Sequence, residues 1–252
     1  MRLHFITSET TEAAKARKRL IKKYGQTSRL EANVIIVLGG DGTMLHVVRD
    51  FMNTDKLIYG MNRGSVGFFM NEYEEDELPE RIASARIEEI RPLRMLAESE
   101  KTDRIEALAI NEVSLFRQSY QAAKIKISVD EKIRIEELIC DGVMVATPAG
   151  STAYNFSAQG PILPLTAPLM ALTPVSPFRP RRWHGALLPN DVTVRFDLLE
   201  SKKRPVNAAA DNIEVKSVRS VIISSTTDVK GRILFNPNHS WDERILLEQF
   251  SY

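Results

Sequence analysis

A short apolar run followed by a glycine-rich turn constrains this chain more than any other stretch. The run is Val34-Ile35-Ile36-Val37-Leu38, and it continues into Gly39-Gly40-Asp41-Gly42-Thr43. Because no polar residue alternates with the apolar ones, the run predicts a strand buried on both faces of a parallel sheet. From Gly42 onward the apolar residues recur at the spacing of one helix face, so the pattern predicts strand, tight turn and helix.

The predicted turn is suited to binding an anion. The first backbone N–H groups of a helix are unpaired and its dipole favours negative charge, while glycines leave no side chain in a ligand's way. Asp41 does not fit a phosphate contact, since its carboxylate would repel phosphate oxygens. We therefore expect Asp41 to face a hydroxyl or a metal ion, or, as the alternative, to cap the helix.

The surrounding segments extend this unit into an α/β domain. Residues 3–7 read as a strand, residues 8–24 as a helix ended by Gly25, and a further strand begins at Leu57. This alternation predicts a parallel sheet with right-handed crossovers, whose ligands lie beyond the carboxyl ends of the strands. The acidic segment 72–80, continued to Arg91, predicts a solvated helix that leads out of the domain.

After residue 92 the pattern becomes that of a β-rich domain. Residues 125–129 and 133–135 alternate between apolar and polar around Asp130-Glu131, which predicts a hairpin. Similar short runs occur at 105–116, 192–198, 218–224 and 232–235, and we interpret the proline-rich piece 161–189 as a set of turns. The last segment, 241–250, predicts a helix that returns to the first domain.

The predicted fold class is therefore α/β plus β. A parallel, Rossmann-like α/β domain spans residues 1–91 and is completed by 235–252, and a β-rich domain spans 92–234.

Composition excludes several classes of protein. The charges of the 34 basic and 33 acidic residues nearly cancel, so the protein has no net electrostatic field that would attract nucleic acid. Cys140 is the single cysteine, which excludes an internal disulfide and a cysteine-based zinc site. With no apolar run of membrane-spanning length and no leader, we expect a cytoplasmic protein without nucleic-acid or membrane partners.

Two further clusters carry chemistry. Asn111-Glu112 interrupts an apolar run, and a buried carboxylate needs a partner, which is either a protein donor or a ligand hydroxyl. In the stretch 140–154, Asp141-Gly142 leads into an apolar strand that Pro148 ends, and Gly150-Ser151-Thr152 follows with two hydroxyls. These small residues would let a base and a ribose lie against the backbone, although read alone they equally suit a helix cap.

In combination, these motifs resemble the NAD kinase family. The blocks Gly-Gly-Asp-Gly-Thr, Asn-Glu and Thr-Pro-x-Gly-Ser-Thr-Ala-Tyr occur in the family's order and separations, and residues 62–68 match its N-x-G-x-[LV]-G-F block. The resemblance covers nearly the whole chain. The diacylglycerol and sphingosine kinases share the glycine motif but lack the third block. Two departures are Ala149, where the family has Thr, and Asp211-Asn212, where it commonly has Asp-Gly; Asp211 is assigned no function.

The resemblance implies transfer of a phosphoryl group to the 2′-hydroxyl of the adenosine ribose of NAD. The donor would be ATP or polyphosphate, with a divalent metal, Mg²⁺ being the expected one. Family members have the NAD site between the two domains and form homodimers or homotetramers, in which a second subunit helps to line that site. The apolar stretch 161–189 would be covered in such an interface.

The resemblance also implies the site residues. Asp41 is the candidate general base, no metal ligand is assigned, and the candidate substrate-binding residues are Gly42, His46, Phe68, Asn111, Glu112, Asp141, Ala149, Ser151, Thr152, Ala153, Tyr154 and Ser157. Gly42 would lie against the dinucleotide, and Asn111 and Glu112 would bind adenine and ribose groups. Asp141 and Ala149 would contact the far end of NAD, and residues 152–157 would line the adenosine pocket.

Some of these assignments have alternatives. His46 would lie near NAD, or it is simply a histidine on a partly exposed helix face. The basic run 178–184, with Arg179, Arg181 and Arg182, could hold phosphates but equally suits an exposed loop or a subunit contact. For the whole protein the alternatives are a lipid kinase, which would need an apolar acyl groove, and a non-catalytic NAD(P) sensor.

Overall fold

The computed structural model of the chain describes residues 1–64, 67–99, 104–237 and 241–250. Ser65 and Val66, which belong to the predicted N-x-G-x-[LV]-G-F block, lie outside the described residues. The chain divides into a first unit, residues 1–90 with 228–252, and a second unit, residues 91–227.

The elements follow one another in chain order: β1 (Leu3–Thr7), α1 (Thr11–Tyr24), β2 (Val34–Gly39), α2 (Asp41–Asp50), β3 (Leu57–Asn62), α3 (Leu78–Ser84), β4 (Arg86–Ile90), β5 (Leu93–Ser99), β6 (Ile105–Ala109), β7 (Glu112–Arg117), β8 (Ala123–Val129), β9 (Lys132–Cys140), β10 (Gly142–Ala146), a 3-10 helix (Ala149–Thr152), α4 (Tyr154–Ser157), β11 (Leu169–Val175), β12 (Ala186–Pro189), β13 (Val194–Leu198), β14 (Val206–Ala210), β15 (Ile213–Val215), β16 (Val218–Ser225), β17 (Gly231–Phe235) and α5 (Trp241–Phe250).

The first unit is built on a sheet with the strand order β1-β2-β3-β17-β4. Strands β1, β2, β3 and β17 are parallel, and β4 runs antiparallel to β17. All six residues of β2 are buried, as its uninterrupted apolar run predicts. Leu20 of α1 and Met44 of α2 are fully buried against this sheet. Because β2 leads directly into α2, the sheet places Asp41 beyond the carboxyl end of a central strand.

Two segments of the first unit differ from the prediction. Residues 72–91 form only the short helix α3 before the chain enters β4, a strand of mostly charged residues. Strand β4 lies at the sheet edge, where charged side chains are favoured because they discourage pairing with other chains. These charged residues obscure the apolar–polar alternation by which a strand is predicted from sequence. Strand β17 pairs between β3 and β4, although most of it falls in the range predicted for the β-rich domain. The apolar pattern of a single strand does not indicate which sheet that strand will join.

The second unit consists of two antiparallel sheets in the described part of the chain. Their strand orders are β12-β11-β10-β7-β14-β15 and β6-β5-β16-β13-β8-β9. One core, which includes Phe196, Val145 and Leu115, combines buried side chains from both sheets. The predicted hairpin is present as β8 and β9, and both turn residues, Asp130 and Glu131, adopt positive φ. The predicted fold class, a parallel α/β part and a β-rich part, is thus confirmed.

The piece 161–189 is more ordered than the prediction of turns allowed. Residues 169–175 form β11, which pairs with β10, and residues 186–189 form β12. Pro174 is tolerated within β11 because β12 pairs only with residues 169–172, so the missing N–H of Pro174 interrupts no ladder on that side. Met170 and Leu172 are buried within the unit itself, which weakens the argument that this stretch must be covered by another subunit. Within the described ranges, no helix has the length and apolar character needed to cross a bilayer.

Candidate active site

Asp41 is held by the backbone of a neighbouring loop rather than by its own helix. It is the first residue of α2, and the capping position, Gly40, makes no side-chain cap bond. Its Oδ2 accepts a hydrogen bond from the N–H of Phe68 (2.7 Å), and its Oδ1 accepts one from the N–H of Phe69 (2.9 Å). The carboxylate therefore fixes the loop that follows β3, and the interpretation of Asp41 as a helix cap is wrong.

The environment of Asp41 balances opposing effects on its ionisation. Burial raises the pKa of the Asp41 carboxyl, while the two backbone N–H donors and the charge of Arg244 lower it, and burial outweighs them. A raised pKa makes a carboxylate a stronger base, and each oxygen of a carboxylate accepts more than one hydrogen bond. Asp41 is therefore able to accept a further hydrogen bond from a substrate hydroxyl.

The other predicted residues of the first unit lie around this carboxylate or on the same helix. Gly67 packs so closely that an added Cβ would lie 2.5 Å from Oδ1 of Asp41. Phe68 is partly buried, and Phe69 is buried in the core. Gly42 and His46 are exposed on α2. The structure thus brings Asp41 and the Phe68 backbone into direct contact and leaves His46 on the surface.

The apolar run that Asn111-Glu112 interrupts does not form one continuous strand. The chain bends at Ile110-Asn111, and the two halves of the run become β6 and β7, which belong to different sheets. The bend is stabilised by the carboxylate of Asp211, which accepts hydrogen bonds from the N–H groups of Ile110 (2.8 Å), Asn111 (2.9 Å) and Glu112 (3.3 Å). Polar residues can occupy this bend because their backbone groups are satisfied by a side chain rather than by a strand ladder.

Both polar side chains of this bend retain a buried atom without a partner. Oδ1 of Asn111 and Oε2 of Glu112 are shielded from solvent and make no hydrogen bond within the described residues. Burial, and to a lesser extent the charge of Asp211, raise the pKa of Glu112 to about 7. An unsatisfied buried acceptor is costly, so a ligand that brings hydroxyl or N–H donors would gain from both atoms. This favours a ligand hydroxyl over a protein donor as the partner of Glu112.

The third sequence block packs directly on this bend. The N–H of Thr147 donates to the carbonyl of Asn111 (2.9 Å), and its hydroxyl donates to the carbonyl of Ile110 (2.6 Å). The same hydroxyl accepts from the N–H of Gly150 (2.9 Å). A side chain at Gly150 would collide with the backbone of Asn111, because an added Cβ would lie 2.1 Å from its carbonyl oxygen. The requirement for glycine here is therefore close contact between two backbones.

The predicted pocket residues of this block differ in what they offer a ligand. Ser151 is buried, and its hydroxyl donates to the carbonyl of Pro148 (2.7 Å) and accepts from the N–H of Leu163 (2.9 Å). It is thus occupied within the protein. Ala149 is also buried. The other predicted residues of the block are exposed or partly exposed; they are Thr152, Ala153, Tyr154 and Ser157. The ring of Tyr154 packs edge-on against Phe116 at 5.6 Å between centroids.

Asp141 is not brought together with Glu112 within the chain. It forms an ion pair with Arg117 (2.6 Å) just before β10, whereas Glu112 pairs with Ala146 at the other end of that strand. At about 3.3 Å per residue, the two ends lie roughly 16 Å apart. The predicted contact of Asp141 with the far end of a ligand remains a prediction.

The described residues offer no ready-made metal cage, since they contain no group of three acidic, histidine or cysteine side chains close enough to share an ion. Mg²⁺ usually binds through one or two carboxylates together with substrate phosphates and water. Asp41 is the acidic side chain of the glycine turn and could supply such a carboxylate. A metal carried by the phosphates of a nucleotide therefore fits the residues present.

Sequence reasoning missed three residues of these networks. Asp211 was assigned no function, and the structure places it in the β14–β15 turn with a positive φ (51°). Arg244 and Trp241 of α5 contact the 67–69 loop, from more than 170 residues away in sequence. No local pattern could have indicated these long-range contacts.

The chain belongs to the NAD kinase family. Residues 2–85 match the family model described as the ATP-NAD kinase N-terminal domain, and residues 110–229 match the ATP-NAD kinase C-terminal domain. The chain is 67% identical over 250 residues to the NAD kinase of Brucella suis biovar 1, which covers 99% of this chain and 97% of that protein. The resemblance to NAD kinases stated from the motifs is thereby confirmed, and the lipid-kinase alternative is not supported.

Two solved structures show the same fold at low sequence identity. Yeast NADH kinase complexed with NADH superposes with a TM-score of 0.85 at 20% identity, covering all of this chain and 89% of that one. An NAD kinase from Archaeoglobus fulgidus in complex with ATP gives a TM-score of 0.79 at 21% identity, covering 100% of both chains.

Proposed function

We propose that this protein phosphorylates NAD to NADP, with ATP as the phosphoryl donor and Asp41 as the general base. The acceptor is the 2′-hydroxyl of the adenosine ribose. Family membership supports the reaction, and the geometry around Asp41 supports its role. The observation that carries the substrate assignment is the pair of buried, unpartnered oxygens at Asn111 and Glu112. Adenosine presents the complementary groups, an exocyclic amine and two ribose hydroxyls.

The residues of the second unit bind and orient the adenosine. Glu112 accepts hydrogen bonds from ribose hydroxyls, and Asn111 accepts one through Oδ1 from an N–H or O–H donor. Thr147 and Gly150 fix the bend that carries these two side chains. Thr152, Ala153 and Tyr154 provide the partly exposed wall against which the base lies. Because hydrogen bonds hold the backbone of this bend before the ligand arrives, little backbone ordering is needed on binding.

Phosphoryl transfer then depends on positioning, charge neutralisation and removal of one proton. The ribose oxygen forms a bond to the γ-phosphorus of ATP, the bond from that phosphorus to the ADP oxygen breaks, and the hydroxyl proton passes to Asp41. The unpaired N–H groups at the start of α2 and the glycine turn suit the phosphates of the donor. A divalent metal bound to the donor phosphates would neutralise developing negative charge when present.

Four finer properties remain predictions. They are the use of polyphosphate in place of ATP, the requirement for Mg²⁺, the homodimeric or homotetrameric assembly, and the cytoplasmic location. The non-catalytic sensor is not supported, because a relative that is 67% identical over nearly the full chain is an NAD kinase. Phe178 and Leu187 are exposed apolar side chains of the second unit and are the residues of the 161–189 stretch that an interface would cover.

The proposal is tested by incubating the purified protein with NAD and MgCl₂ and either ATP or polyphosphate. NADP is detected through a dehydrogenase that accepts only NADP. We expect NADP to accumulate over many turnovers with ATP. Binding of NAD without NADP formation from either donor would favour the sensor, and formation with polyphosphate alone would contradict the donor assignment.

A further inference from the structure

Helix α5 contacts the 67–69 loop of the first unit through Arg244. The Nη1 atom of Arg244 donates to the carbonyl oxygens of Gly67 (3.1 Å) and Phe68 (2.6 Å). The N–H groups of Phe68 and Phe69 donate to the carboxylate of Asp41. The same short segment is therefore held on its carbonyl groups by Arg244 and on its N–H groups by Asp41.

Apolar packing from the same helix reinforces this arrangement. Trp241 is buried, and its ring lies 5.6 Å from the ring of Phe68 and 4.8 Å from that of Phe69, measured between centroids. Gly67 leaves no room for movement on the other side, because even a Cβ there would collide with the Asp41 carboxylate. The segment 67–69 is thus enclosed by the start of α2 and by α5.

We propose that Arg244 is a positioning residue, which fixes residues 67–69 and thereby holds the Asp41 carboxylate in its reactive orientation. The inference rests on the proposed role of Asp41 as the base. Arg244 contacts no reacting atom and acts through the backbone of the loop. A misplacement of about 1 Å in a catalytic group costs up to roughly 10²-fold in rate, so the effect on turnover is measurable.

The charges support the same assignment. In the described part of the chain, Arg244 is the charged group whose field affects the pKa of Asp41. Arg244 in turn interacts electrostatically with Asp41 and Glu72. The guanidinium lowers the pKa of Asp41 against the effect of burial. Removing the guanidinium therefore raises the pKa of Asp41, and the pH below which activity is lost moves upward.

The test compares Arg244→Met and Arg244→Lys with a matched control, Arg17→Met. Arg17 lies in α1 of the same unit and also donates to a backbone carbonyl, but that carbonyl belongs to Phe5 of β1 (3.2 Å) and not to the 67–69 loop. We expect R244M to lower kcat by about tenfold to 10²-fold, with the KM for NAD changed by less than about threefold. The acidic limb of its kcat–pH profile should move to higher pH.

The lysine variant separates charge from geometry. R244K keeps a cation beside Asp41 but lacks the guanidinium, so kcat should fall while the acidic limb stays near its original pH. R17M should keep both kcat and the pH profile, even if its melting temperature falls. The proposal is overturned if R244M matches R17M in kcat and pH profile. If R244M does not fold, it is overturned if R244K matches R17M in kcat.

Asp41→Asn is measured in the same series. If D41N keeps full turnover, the role of Asp41 as the base has failed. If D41N is inactive and R244M is unaffected, only the role of Arg244 has failed.

Discussion

Asp41→Asn is expected to lower kcat for NADP formation by about 10²–10⁴-fold, the usual contribution of general-base catalysis. Asparagine occupies the same volume but accepts no proton at neutral pH. The KM for NAD should change by less than about threefold, because the adenosine-binding acceptors lie in the second unit. Initial rates at saturating NAD and ATP measure the effect. A variant that keeps more than about a tenth of the wild-type kcat would show that Asp41 is not the base.

The hydrogen bonds of Asp41 require a control for loosening of the loop. An asparagine offers one acceptor oxygen, so only one of the N–H groups of Phe68 and Phe69 can keep its partner. Gly67→Ala displaces the same loop, since its Cβ would collide with Oδ1 of Asp41, but it retains the carboxylate. We expect D41N to be at least about tenfold slower than G67A. Equal losses in the two variants would assign the effect to loop geometry alone.

Glu112→Gln is expected to weaken NAD binding and, at alkaline pH, to stabilise the free protein. Hydrogen bonds to a charged group are worth about 1.5–3 kcal/mol, so the KM for NAD should rise roughly tenfold or more. The stabilisation follows from ionisation. The pKa of Glu112 is raised from 4.5 to about 7 in the folded protein, because burial and the charge of Asp211 disfavour the carboxylate.

The sign of the pH effect follows from this raised pKa. As the pH increases from 4.5 towards 7, the unfolded chain loses the proton first and the folded state retains it, so the free energy of unfolding decreases. The decrease is complete above pH 7 and amounts to at most about 3 kcal/mol. Glutamine does not ionise, so E112Q should melt several degrees higher than wild type at pH 8.5 and nearly equally at pH 5.

Glu136→Gln is the matched control for this variant, because Glu136 is an exposed glutamate of β9 in the same unit. It should alter neither the KM for NAD nor the difference in melting temperature between pH 5 and pH 8.5. If instead E112Q melts lower than wild type at pH 8.5 and binds NAD normally, Glu112 has a structural role and the ligand-binding assignment is wrong.

Local sequence signals predicted the parts of the fold that depend on local physics. The uninterrupted apolar run of β2, the glycine turn and α2 were all visible because burial on both faces leaves a continuous pattern. The β8–β9 hairpin was visible because its alternation surrounds a polar turn. Strand β4 was hidden by the charges of an edge position, and Pro174 made β11 look like a turn.

The candidate site was predictable to the extent that its residues lie in compact motifs. Asp41, Asn111, Glu112 and the block 147–154 were all found in this way, and the structure brings the last three together in the second unit. The residues that orient these site residues were not predicted. Asp211 and Arg244 contact backbone groups about 100 and 176 residues away in sequence. Every residue has a backbone carbonyl and nearly every one has an N–H, so such a contact does not require a particular residue type in the partner segment.

The proposed reaction is tested most directly by identifying the product with ³¹P NMR after the wild-type protein has been incubated with NAD, ATP and MgCl₂. We expect a new phosphomonoester on the 2′-oxygen of the adenosine ribose, formed in an amount equal to the ADP released. Release of ADP and inorganic phosphate without phosphorylated NAD, or a phosphate on the 3′-oxygen instead, would contradict it.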